Sequence, residues 1–89
     1  MFIMPEVSLF YGIRITMHYN DHSPPHFHAA YAGAGATINI IDGSVVSGNL
    51  PGRQLRLVVA WCEIHRDALM QNWELCKDKK PLSRINPLI

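Results

Sequence analysis

The chain changes its hydrophobic period once, at Gly48-Asn49-Leu50-Pro51, and that change constrains the fold more than any other feature. Before it, apolar and polar residues alternate in short runs. Ile13, Ile15 and Met17 alternate with Arg14, Thr16 and His18, and Phe27, Ala29 and Tyr31 with His26, His28 and Ala30. A period of two is that of a strand with one buried face. After it, Leu55, Val58, Val59, Cys62, Leu69, Trp73 and Cys76 follow helical spacings of three, four and seven. Pro51 suits the first helical position, where its missing N–H costs nothing.

The turn residues agree. Ala32-Gly33-Ala34-Gly35 is a small-residue turn, and Asp42-Gly43 predicts a two-residue hairpin with Ile40 opposite Val45. The fold class expected is α+β in a single domain over residues 1–89. Three to four antiparallel strands fall within about 7–48, one long helix over about 51–78 packs on one face, and the tail at 81–89 is extended. Leu82, Ile85 and Leu88 are available for packing from that tail.

A second apolar row, Leu57, Trp61, Ile64 and Ala68, makes the helix stripe wider than one sheet face requires. Part of it is therefore expected to meet another chain, either a small protein partner or a second copy. Trp61 and Trp73 read as core or interface anchors. Arg53 and Arg56 stand unfavourably near the positive end of the helix dipole and are candidates for an acidic partner or an anion.

Charge excludes some functions. Eight Lys and Arg against seven Asp and Glu leave a net charge of +1, with no strong drive toward nucleic acid or an anionic membrane. The longest uncharged apolar run, Leu57 to Cys62, is far too short to span a bilayer. Met1-Phe2-Ile3-Met4 lacks the basic start of a secretory leader. Cys62 and Cys76 lie too far apart on a continuous helix to bond, and read as buried thiols of a reducing compartment. A cytoplasmic location follows as the expectation.

The chemistry concentrates in Asn20-Asp21-His22-Ser23-Pro24-Pro25-His26-Phe27-His28, with His18 four residues before His22. Imidazole donates, accepts and ligates metal near neutral pH. If the two strands pair as a hairpin through this loop, His18, His26 and His28 share the face turned away from the helix. Arg14 then lies further along that face, and His22 sits in the loop. Three readings stay open. A divalent transition metal such as zinc would take His18, His22, His26 and His28, with Asp21 as an oxygen ligand. Metal-free acid–base chemistry, such as phosphodiester cleavage, would use His22, His26 and His28 with Arg14 holding the anion. The third has the histidines fixing the turn within a protein interface.

The order of motifs resembles a small bacterial family catalogued as domain of unknown function 4160. The resemblance rests on Pro5-Glu6-Val7-Ser8, Phe10-Tyr11-Gly12-Ile13, the Asn20–His28 stretch, Gly48-Asn49-Leu50-Pro51, Trp61, His65-Arg66, Asn72-Trp73-Glu74-Leu75 and Ile85-Asn86-Pro87-Leu88. It implies no established activity. It does imply a neighbouring small protein, in an arrangement similar to toxin–antitoxin pairs. A hydrolase, in particular a nuclease, is the alternative. His26-Phe27-His28 also resembles the start of a cupin metal motif, but Ala29 to Ala36 holds no carboxylate to complete it.

Overall fold

The computed structural model describes residues 5–19 and 21–89. Five strands, β1 (Glu6–Phe10), β2 (Ile13–Thr16), β3 (His26–Tyr31), β4 (Ala34–Asn39) and β5 (Val45–Asn49), form one antiparallel sheet in sequence order. Two helices follow, α1 (Gly52–Ile64) and α2 (Arg66–Lys77), and the α+β class holds. The expectation for the start of the chain, that it lacks a leader, falls on Met1 to Met4, outside the described residues.

β1 exceeds the three to four strands expected. A register shift between Glu6 and Ser8 buries Val7 and Ser8 together, so this strand does not show the alternation that reveals the others. Two hairpins close through two-residue turns with positive φ at both positions, Tyr11-Gly12 and Ala32-Gly33. That geometry was expected at Asp42-Gly43, where the loop is instead longer. Val45 pairs with Ile38 rather than Ile40, and Asn39 N–H donates to the Ser44 carbonyl. Ile40 is fully buried, and its N–H donates to the Pro25 carbonyl, so it leaves the hairpin. The side chains of Asn39 and Asp42 accept from the Ile41 and Ser44 N–H groups and hold the wider loop.

One sheet face carries Val7, Phe10, Ile13, Ile15, Phe27, Ala29, Ala36 and Ile38 into a core with Val58, Trp61, Cys62, Leu69, Trp73 and Cys76 of the helices. Burying each large side chain of this set is worth roughly 1.5–3 kcal/mol. The single helix expected over 51–78 is broken at His65, with φ −109° and ψ 24°. No proline or glycine stands there. Cys62 Sγ and Arg66 Nε, on either side of His65, both reach the Ile40 carbonyl, at 3.7 and 2.9 Å, and tie the bend to the loop after β4. Cys62 and Cys76 are free and buried.

Part of the wide helix stripe is covered by the chain's own tail, while Ile64 stays 65% exposed. Trp61 Nε1 donates to the Asn86 carbonyl at 2.8 Å, and the buried Asn72 amide brackets the Ser83 backbone with two hydrogen bonds. Ile85 N–H then donates to the Val7 carbonyl of β1. Trp61 and Trp73, expected as core or interface anchors and as candidates for partner binding, stand inside this core with 0% and 3% of their surface exposed. Neither offers surface to another chain. Arg53 and Arg56 are exposed on α1, which has no acidic residue in its first turn and no side-chain cap.

Candidate functional site

The candidate site lies in the connection between β2 and β3. Its centre is the Asp21 carboxylate, which is reached from several sides. His26 Nε2 lies 2.7 Å from Asp21 Oδ2, His28 Nε2 at 3.5 Å and His18 Nδ1 at 4.0 Å from the same oxygen. The His22 N–H donates to Asp21 Oδ1. His18, two residues beyond the end of β2, stacks on His28 of β3 with ring centroids 3.9 Å apart.

Each ring has a different environment. His26 is buried, its ring centroid 5.2 Å from that of Trp73 in α2. Its Nδ1 lies 2.6 Å from the Pro24 carbonyl, which can only accept, so that nitrogen carries a hydrogen. Both ring nitrogens are thus engaged with oxygens. His26 was expected on the open face among the metal ligands; here it orients Asp21 instead. His22 projects into solvent, its side chain 94% exposed. It does not join the group whose ligand atoms converge.

That group is His18, Asp21 and His28, whose ligand atoms all lie within 4.8 Å of one another. His28 Nδ1, the nitrogen turned away from Asp21, meets Thr37 Oγ1 of β4 at 3.2 Å. Thr37 was not singled out from the sequence. Only the register, which sets His28 opposite Thr37, reveals it. Arg14, expected to support the cluster, is held elsewhere. Its Nε lies 3.2 Å from Glu6 Oε1, and the other Glu6 oxygen takes Arg84 Nη1 at 2.8 Å.

The electrostatics follow from this packing. Burial alone would raise the Asp21 carboxyl. The hydrogen bond and charge of His26, with the His28 bond and the His22 N–H, outweigh it and hold the group below the ordinary carboxylate value. Burial and the neighbouring His18 push His28 down, against the opposing pull of Asp21. The site therefore favours an ionised carboxylate beside a neutral imidazole, the protonation states a metal requires.

His18 and His28 border a groove of about 280 Å³ on the sheet face opposite the helices, together with Thr16, Thr37 and Ser47. The register aligns Thr16, His28, Thr37 and Ser47 in one row across β2 to β5. Gly48, which also lines the groove, permits the close approach of β5 to β4. A Cβ there would stand 2.2 Å from the Gly35 carbonyl oxygen, and its φ is +74°.

A family model described as "Domain of unknown function (DUF4160)" matches residues 12–74, more than half of the chain and all of the His-bearing loop. The chain belongs to that family. No curated protein matches the sequence, and no solved structure matches it. No helix among the described residues is long and apolar enough to cross a membrane.

Proposed function

We propose that this DUF4160 domain holds one divalent transition metal through His18, Asp21 and His28, and serves as the metal-bearing member of a small two-protein module. The observation that carries the reading is the convergence of three ligand atoms within 4.8 Å. Two imidazoles and one carboxylate suit zinc and its neighbours, and three protein ligands leave a coordination position open. Ligand atoms on tetrahedral zinc lie about 3.3 Å apart, so binding would draw the half-exposed His18 inward by about an ångström.

Support also comes from what surrounds the ligands. His26 holds Asp21, and Thr37 meets the His28 nitrogen that faces away from the ligand cluster. Outer partners of this kind fix the tautomer and orientation of metal ligands. The metal would supply Lewis-acid polarisation of an oxygen on a molecule lying in the groove. A hydrolase is the reaction class that fits such an arrangement.

Metal content and zinc titration of tag-free protein, beside a His18→Ala/His28→Ala variant, test the site. One equivalent bound below micromolar concentration, and lost in the variant, is expected. No binding by the native chain would remove the reading.

The second protein of the module has its own support in the sheet. β5 is exposed along its whole length and carries the exposed Val45 and Val46, whereas β1 is lined by the chain's own tail. An uncharged open edge is a surface on which another chain can add a strand. Co-expression with the product of an adjacent gene, followed by gel filtration, tests this. A Val46→Lys change should release the partner, and proteins that elute apart at micromolar concentration would end the idea.

A further inference from the structure

The groove beside the His cluster does not stop at Ala30 and Gly35. These two residues face each other across β3 and β4, and they also border a second hollow of about 450 Å³. That hollow continues to Leu9, Arg14 and Tyr31. The shared floor carries at most a methyl group. The two hollows therefore form one trough along the strands, from His18 and His28 at the loop end to Arg14 near the turns.

Its charges are of one sign. Among the described residues, none that lines either hollow is acidic. At one end, a divalent ion on the single carboxylate of Asp21 would leave net positive charge. At the other, Arg14 and Arg84 share the one carboxylate of Glu6. Between them stand the neutral Thr16, Ala30 and Gly35, and Thr37 and Ser47 continue the row of His28 across the sheet. His28 lies beside Thr16, one strand over, and Arg14 two residues further along β2, a separation of about 8 Å from strand rise and spacing.

A ligand matched to this surface is elongated and carries anionic groups at intervals, with neutral parts between. A single bound anion would use one end only. An extended peptide would seek the main-chain groups of an edge, and the trough lies on the face. Tyr31, which packs against the core, also borders the Arg14 end.

We propose that the trough receives a single-stranded nucleic acid, with one phosphodiester at the His18–Asp21–His28 end and a neighbouring one at Arg14. This rests on the metal reading, because without the ion the loop end has no net positive charge. The near-neutral overall charge predicts modest affinity, dependent on the metal rather than on a broad basic surface.

The test is fluorescence anisotropy of a short labelled RNA and its DNA counterpart with zinc-loaded protein, with inorganic phosphate as competitor. Zinc affinity is measured separately on every variant. Metal-dependent binding of either strand is expected, weakened roughly tenfold or more by Ala30→Phe, which fills the shared floor. Arg14→Gln should lower the slope of log affinity against log salt by about 1. Both variants should bind zinc as the native chain does. Zinc binding without oligonucleotide binding would overturn the proposal and leave the metal site intact. So would complete displacement by phosphate, or binding indifferent to Ala30→Phe. Absence of zinc binding would remove the site and this inference together, and tighter binding to RNA than to DNA would assign the 2′-hydroxyl to the Thr and Ser row.

Discussion

His18 and His28 lie ring on ring, 15° from parallel, although only His28 belongs to a strand. Such stacking suits two neutral imidazoles and penalises two cations. It is one reason why His28 is held below the ordinary histidine value, after its burial. The stack also sets both rings beside one carboxylate, where a shared ion would neutralise what a second proton cannot.

Acid should therefore loosen the metal-free domain. A histidine depressed in the fold takes its proton later than in the unfolded chain, so stability present above about pH 6.5 is lost as pH falls toward the folded value. Asp21 is depressed as well, and its contribution is lost below its ordinary value of 3.8. Both act in the same direction. Melting temperature should fall in the window below pH 6.5, and His28→Gln should flatten that part of the profile. A native profile with no slope there would contradict the argument.

Thr37 should act on the metal through His28. Removing the hydroxyl with Thr37→Val takes away the outer partner of Nδ1 and should weaken zinc by roughly 10–100-fold. Thr37→Ser restores the oxygen and should recover most of the affinity. Competition against a chromophoric chelator reads the difference. Equal losses in both variants would mean that packing, not the hydrogen bond, matters at this position.

How much of this was readable from the residues depends on which interaction fixed each element. Ile13, Ile15, Phe27 and Ala29 showed their inward face because the strands alternate without interruption. β1 did not, because its bulge places Val7 and Ser8 on the same side. The break at His65 has no local signal, since its tether is the Ile40 carbonyl far away in sequence. The His cluster was visible as composition, and Asp21 as an oxygen donor among it. The separation of roles among the histidines was not. It depends on Trp73 burying His26 and on Thr37 lying opposite His28, both long-range facts.

Gly48 should tolerate no side chain. Alanine there would meet the Gly35 carbonyl oxygen and adopt a φ of +74°, so Gly48→Ala should cost on the order of 1–3 kcal/mol. Chemical denaturation measures it. A cost near zero would mean that β5 can move away from β4 without loss.

The tail should come free before the sheet does. Asn72 is 1% exposed, and its amide satisfies both the carbonyl and the N–H of Ser83. Asn72→Ala leaves those two backbone groups without their partner and should destabilise the domain by about 1–3 kcal/mol. Because the tail also lines β1 through Ile85, its release would expose the Val7 carbonyl and Trp61 of α1. Limited proteolysis should then cut between Lys79 and Arg84 in the variant while the native chain resists. Cleavage at equal rates in both would show that Trp61 and Ile85 hold the tail without Asn72.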